Sequence, residues 1–253
     1  MKRFLSGVAA AGLALAMGTA SAQSQRPIRV LVASAPAGPS DVQARLLQTR
    51  MSEALGRTLI VDNRASNNGV YASELCAKAA ADGNTICVGN SGTHAVNATL
   101  YQKLPYDVIR DFAPVSEVAT TGMVVAGESH ISLLTPLATM NHIASGRIKP
   151  YGITSAQRHP LLPQVPTVAE QGVQGYDFQY WNGIFAPKKI PDRTLRELHK
   201  AVMFAIAAPE VKERFGALGL VIVGNTPEEF ASVVKADVEK FRKAIVESGI
   251  PRL

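Results

Sequence analysis

The first half of the chain alternates between short apolar runs and segments with apolar residues at helical spacing. Strands are predicted at 28–32, 59–61 and 85–88, with helices between them at about 41–55 and 70–80. Short continuous apolar runs are typical of strands buried in a parallel sheet. The order strand, helix, strand, helix, strand therefore predicts a parallel α/β unit with right-handed crossovers.

The middle of the chain is less regular, and the C-terminal part is helical. Extended chain is predicted to leave the first unit at 115–125, and a strand at 183–186 is predicted to re-enter it. A strand, a helix and a second strand are predicted between them, at 131–134, 136–145 and 148–154. Three helices form the predicted tail, at 195–206, at 211–218 and from Thr226 onward, where Thr226-Pro227-Glu228-Glu229 reads as a capping box.

The first 22 residues have the pattern of a cleaved secretory signal. Lys2 and Arg3 give a positive start, residues 4–17 are apolar, and Ala20-Ser21-Ala22 has the small residues that a signal peptidase needs. A membrane anchor is the disfavoured alternative, because the run is shorter than the about 20 apolar residues that span a bilayer. We expect a periplasmic chain that is cleaved after Ala22.

Composition sets further limits. Removal of 22 from 253 residues leaves 231, enough for one large domain or two small lobes, and loss of Lys2 and Arg3 lowers the net charge from +6 to +4. The basic residues are spread along the chain, so we expect no nucleic-acid partner. Cys76 and Cys87, on a predicted helix and the next strand, are predicted to form a disulfide; two buried free thiols are the alternative.

Two loops follow predicted parallel strands at their C-terminal ends, where open α/β sheets bind ligands. In the first, residues 36–41, Ser40 or Asp41 can cap the next helix, and the free N–H groups of that helix form an anion site. A helix cap without a ligand is the alternative. Further along, Tyr180 and Trp181 could stack on a ligand, although core packing is the favoured interpretation.

The second loop is Gly89-Asn90-Ser91-Gly92-Thr93-His94, whose glycines allow close approach and whose side chains add donors. A hydrolytic interpretation would make Ser91 the nucleophile, His94 the base and Asp41 the orienting acid. We disfavour it because Thr93 replaces the second glycine of the Gly-x-Ser-x-Gly elbow. Phosphate-loop, dinucleotide and paired-histidine signatures are missing from the sequence, which predicts no enzyme activity, no cofactor and no metal.

A series of short motifs extends over most of the mature chain. They are Arg26-Pro27-Ile28-Arg29, Gly38-Pro39-Ser40-Asp41, Val61-Asp62-Asn63-Arg64, Ala80-Ala81-Asp82-Gly83, Asn90-Ser91-Gly92-Thr93-His94, Leu104-Pro105-Tyr106-Asp107, Asp111-Phe112-Ala113-Pro114-Val115, Gly146-Arg147-Ile148-Lys149, Val165-Pro166-Thr167-Val168-Ala169-Glu170 and Thr226-Pro227-Glu228-Glu229-Phe230. In this order and spacing, the chain resembles the Bug-type (TctC-like) periplasmic solute-binding receptors of tripartite tricarboxylate transporters.

The resemblance implies a two-lobed periplasmic binding protein (type II-like), with parallel-sheet lobes joined by crossing strands. Residues 23–117 and 184–253 would form lobe 1, and residues 118–183 lobe 2. A monomer would hold a small organic carboxylate through backbone amides and ordered water and deliver it to membrane permease subunits. The implied ligand-binding residues are Gly38, Ser40, Asp41, Ser91, Gly92, Thr93, His94 and Thr135.

Two departures from the family pattern stand out. Ala37 occupies a position where the family usually has glycine, which restricts the backbone there. Between Val125 and about Ile131, a family block of strands and helices that includes a Gly/Ser-rich ligand loop is missing. We therefore expect a shortened second lobe, and a degenerate paralogue whose lobes no longer close is an alternative to a transport receptor.

Overall fold

The computed structural model describes residues 26–127 and 130–253. The predicted signal segment and its cleavage site lie outside these ranges. Within them, no helix has both the length and the apolar character that a membrane span requires.

The described chain alternates strands and helices along most of its length. The strands are β1 (Ile28–Val32), β2 (Leu59–Asn63), β3 (Thr85–Asn90), β4 (Phe112–Gly122), β5 (Val124–Gly127), β6 (Ile131–Leu134), β7 (Lys149–Ile153), β8 (Gln179–Pro187) and β9 (Val221–Ile222). The helices are α1 (Pro39–Leu55), α2 (Val70–Ala77), α3 (Asn97–Leu100), α4 (Pro136–Ala144), α5 (Asp192–Ala207), α6 (Pro209–Ala217) and α7 (Pro227–Glu247). A wide helical turn, Gly92–Val96, leads directly into α3.

The larger sheet has the strand order β2-β1-β3-β8-β4-β9. Strand β1 lies parallel to both β2 and β3, as the continuous apolar runs predict. Helices α1, α5 and α6 pack on one face of this sheet and α2, α3 and α7 on the other. Both faces are therefore covered, which explains why β1 has almost no polar positions.

Two long strands, β4 and β8, pair antiparallel and connect the larger sheet to the smaller one. The smaller sheet has the order β6-β5-β7, and both of its strand pairs are antiparallel. The parallel pairing predicted for both lobes therefore holds only for β2, β1 and β3. Only three residues, 128–130, separate β5 from β6 in the sequence, and a parallel pair needs a crossover of a dozen or more residues.

The smaller sheet keeps a core of its own on one side. Val124, Ala126 and Ile153 are buried there with Leu162 and Val165. Strand β6, by contrast, is exposed along its whole length, and Ile131 is 73 % exposed. The two-lobed architecture is thus present, with a second lobe that is small and covered unevenly.

Two local predictions are confirmed at the level of side chains. Cys76 in α2 and Cys87 in β3 form a disulfide, with their Cα atoms 6.1 Å apart. Helix α7 begins with the predicted capping box, in which Thr226 accepts a hydrogen bond from the N–H of Glu229 and the Glu229 side chain accepts one from the N–H of Thr226.

Candidate functional site

A cleft of about 550 Å³ opens at the C-terminal ends of β1 and β3. Most of its lining comes from three loops. These contribute Ser34, Pro39 and Ser40 after β1, Ser66, Asn68 and Gly69 after β2, and Asn90, Gly92, Thr93 and Asn97 after β3. Ala33, Val96, Leu100 and Tyr180 complete the walls. None of these lining residues carries a charged side chain.

Three helical segments begin at this cleft. Helix α1 starts at Pro39 after Gly38, α2 starts at Val70 after Gly69, and the helical turn before α3 starts at Gly92. No N-cap side chain hydrogen-bonds these first turns, although Ser34 Oγ accepts the Asp41 N–H and Asn90 Oδ1 accepts the Thr93 N–H, which leaves the remaining first-turn N–H groups. The first N–H groups of a helix lack intrahelical partners and carry partial positive charge. The cleft can therefore attract an anion with backbone groups alone.

Gly69 is required for this convergence. Its φ of +78° is in the left-handed region, and an added Cβ would lie 2.5 Å from Thr93 Cγ2. The loop after β2 was not predicted as part of the site. The same rule that selected the other two loops applies to it, because it also follows the C-terminal end of a parallel strand.

Ser40 connects the cleft to the crossing strand β8. Its hydroxyl donates a 2.7 Å hydrogen bond to Asn182 Oδ1. Burial raises the pKa of Tyr180 to about 12, and a hydrogen bond with Ser40 opposes this rise. The Tyr180 hydroxyl therefore keeps its proton at neutral pH.

Asp41 does not line the cleft. Its carboxylate accepts hydrogen bonds from the Ala37 N–H (2.8 Å), from Asn63 Nδ2 (2.9 Å) and from Arg45 Nε (3.0 Å). Burial opposes its ionisation, but the hydrogen bonds from Arg45, Asn63 and Ala37 outweigh it and lower the pKa of Asp41. Asp41 thus fixes the loop before α1 instead of facing a ligand.

His94 also lies away from the cleft, inside an aromatic cluster. Its ring stacks on Phe185 at 4.1 Å between centroids and meets the edge of Phe112 at 4.5 Å. Its Nδ1 is 2.8 Å from Thr93 Oγ1, and its buried Nε2 has no protein partner. Burial lowers the pKa of His94 to about 3, so the ring is neutral.

These positions argue against a hydrolytic triad. The imidazole bonds Thr93 instead of Ser91, and the Asp41 carboxylate is occupied by Ala37, Asn63 and Arg45. Ser91 is buried and does not line the cleft. Within the described ranges there is also no group of three or more His, Cys, Asp or Glu residues arranged to hold a metal ion.

The predicted ligand residues thus occupy four different places. Ser40, Gly92 and Thr93 line the cleft, while Gly38 only caps α1. Asn90 and Thr93 exchange hydrogen bonds of 3.0 Å between their side chains and N–H groups, which holds the loop after β3 in shape. Asp41, Ser91 and His94 are buried behind the cleft, and Thr135 lies apart at the start of α4. Trp181 is buried in the core, whereas its neighbour Tyr180 faces the cleft.

Comparisons with known proteins identify the family to which the chain belongs. The sequence profile of the family described as "Tripartite tricarboxylate transporter family receptor" (TctC) matches residues 43–134 and 124–250. A Pseudomonas sp. (strain P51) protein described as "UPF0065 protein in tcbD-tcbE intergenic region" is 32 % identical over 312 aligned positions, which cover 94 % of this chain and 93 % of the relative.

Two solved structures have the same fold. The periplasmic binding protein BugD has a TM-score of 0.82 at 24 % identity, with 90 % of this chain and 99 % of BugD covered. MatC from Rhodopseudomonas palustris, solved with bound malate, has a TM-score of 0.80 at 24 % identity, with 87 % of this chain and 99 % of MatC covered.

The same comparisons bear on the missing block. An alignment of 312 positions is longer than the 253 residues of this chain, so at least 59 of its positions have no residue here. The two stretches matched by the family profile meet at residues 124–134. This segment contains the β5–β6 connection, where the sequence predicts the loss.

Proposed function

Because the chain belongs to the tripartite tricarboxylate transporter receptor family, we propose that it captures a small organic carboxylate outside the cytoplasm and delivers it to membrane permease subunits. In this proposal the mature chain works in the periplasm as a monomer and catalyses no reaction. Residues 23–117 and 184–253 form its first lobe, and residues 118–183 form the second.

The cleft at the ends of β1 and β3 is the observation that carries this proposal. Three helical N-termini converge on it, and none of its lining residues is charged. Partial charges of about +0.5 at helix N-termini favour an anion there. A carboxylate also has two acceptor oxygens, which can take N–H groups from two loops at once. The bound malate of the similar protein MatC supports the same ligand class.

Thermal-shift measurements on the mature chain test the proposal. The panel should contain dicarboxylates, tricarboxylates, amino acids and aromatic acids, with uncharged amides of the same acids as controls. A solute at 100 times its Kd adds about 2.7 kcal/mol to the free energy of unfolding. For a chain of this size this corresponds to a rise in Tm of about 5–10 °C. A rise with the amides and none with the acids would refute carboxylate recognition.

An isosteric pair of variants tests the location of the site. Asn90→Asp keeps the acceptor for the Thr93 N–H and adds a negative charge to the cleft, so we expect the Kd for the carboxylate to rise at least tenfold. Asn84→Asp adds the same charge outside the cleft, and we expect the Kd to change less than twofold. Equal effects in calorimetric titrations of the two variants would place binding elsewhere.

A repurposed receptor without a transport role is the second candidate. The small second lobe favours it, because β6 is exposed and the missing block would have supplied a ligand loop. A folded mature chain that no carboxylate stabilises would support this candidate over the first. A turnover that Ser91→Ala abolishes would instead revive the hydrolase, which the partners of His94 and Asp41 argue against.

A further inference from the structure

A second, smaller chamber lies between the two lobes. It is separated from the cleft by Pro39 and Tyr180, which line both spaces. Gln43 of α1 lines it on the first-lobe side, and Thr135 and Leu137 line it at the start of α4. Its volume is about 10 Å³, which is close to the space that one water molecule needs.

Two residues that line this chamber each carry a buried polar atom without a protein hydrogen-bond partner. They are Gln43 Oε1, on a side chain that is 2 % exposed, and Thr135 Oγ1. Most buried polar atoms in folded proteins are hydrogen-bonded, so such a pair in one small space needs an explanation. Gln43 Oε1 can only accept a hydrogen bond, and the Thr135 hydroxyl can donate one. A single oxygen between the two lobes can satisfy both, if it donates to Gln43 and accepts from Thr135.

The Thr135 hydroxyl does not act as a helix cap. Thr135 is the N-cap residue of α4, but its side chain makes no capping hydrogen bond. Thr226, in the same position before α7, does cap its helix. The Thr135 hydroxyl is therefore available to another group, and the partial positive charge at the start of α4 favours an oxygen there.

We propose that the chamber binds one water molecule that accepts a hydrogen bond from Thr135 Oγ1 and donates one to Gln43 Oε1. Buried waters commonly make about three hydrogen bonds, and a first-turn N–H of α4 can supply the third. This water would link helix α1 of the first lobe to helix α4 of the second. The inference does not depend on the solute, because it concerns the joint between the lobes.

Thermal unfolding of four variants of the mature chain tests the bridge. Gln43→Met and Thr135→Val are nearly isosteric, and each removes one partner of the water and leaves the other unpaired. We expect each to lower Tm by about 3 °C or more, and the double variant to lower it no further than the worse single one. Thr135→Ser keeps the hydroxyl and should keep the wild-type Tm. Additive losses in the double variant would overturn the proposal.

A matched pair of substitutions controls for general effects of packing. Thr139 lies on the same helix, but its hydroxyl donates to the carbonyl oxygens of Thr135 and Pro136. The losses of Gln43→Met and Thr139→Val should therefore be additive. A crystal structure of the mature chain should show one water oxygen within about 3.2 Å of both Gln43 Oε1 and Thr135 Oγ1. A dry chamber, or a solute atom in this position, would refute the proposal.

Discussion

Acid should destabilise this protein through His94, and His94→Phe should remove much of that sensitivity. The imidazole is 1 % exposed, and burial lowers its pKa from 6.5 to about 3. Protons therefore bind the unfolded chain first as the pH falls. The stability that His94 contributes is complete above pH 6.5 and is lost progressively between pH 6.5 and about 3.

The magnitude follows from the linkage relation. Each pH unit in this window costs about 1.4 kcal/mol of unfolding free energy, so a fall from pH 7 to pH 5 costs about 2 kcal/mol through this one group. A phenyl ring keeps the stacking with Phe185 and cannot take a proton. It loses the hydrogen bond with Thr93, worth about 0.5–1.5 kcal/mol, and removes the unpartnered Nε2.

Urea unfolding followed by the fluorescence of Trp181, at pH 7 and pH 5, measures this effect. We expect wild type to lose about 2 kcal/mol more than His94→Phe between these values. Burial also lowers the pKa of His159, which stays in both proteins, so the difference isolates His94. His142→Gln, on the exposed part of α4, is the control and should behave as wild type. The same pH dependence in wild type and His94→Phe would refute the assignment.

Two further predictions concern the backbone and the disulfide. Ala37 has a φ of +65°, which costs a non-glycine residue about 1–2 kcal/mol. Ala37→Gly should therefore raise the free energy of unfolding by up to about 1 kcal/mol in the same urea assay. A free energy of unfolding below that of wild type would show that Ala37 is not strained. Replacement of Cys76 and Cys87 by alanine opens a loop with a sequence separation of 11 and should cost about 3 kcal/mol. Urea midpoints of the oxidised wild type and the double variant that agree within error would contradict this account.

The sequence predicts the parts of the fold that depend on local pattern. The apolar runs of β1 and β3 and the capping box of α7 specify elements regardless of their neighbours, and all three form as predicted. The antiparallel second sheet was not predicted, because the interpretation followed the family pattern instead of the three-residue separation between β5 and β6. The short connection between β5 and β6 determines how these strands pair, and the family pattern does not.

Side-chain direction is what the sequence could not predict at the site. His94 and Thr93 are neighbours in one polar loop, yet Thr93 lines the cleft and His94 points into the aromatic cluster of Phe112 and Phe185. That choice depends on β8, which lies about ninety residues further along the chain. Gln43 was missed for a similar reason, because its chamber forms only where α1 meets α4.

The residues that line the cleft belong almost entirely to the proposed first lobe. A receptor with a reduced second lobe could therefore still capture an anion. Apart from Tyr180 on the crossing strand, every residue that lines the cleft lies between Ala33 and Leu100, within the proposed first lobe. The converging helix starts therefore do not depend on the missing block. The proposed second lobe contacts the first elsewhere, where His159 Nε2 lies 3.0 Å from the Gly219 carbonyl oxygen. A smaller second lobe covers less of a bound solute. We therefore expect the missing block to affect the rate at which the solute dissociates, and the first lobe to determine which charge the site accepts.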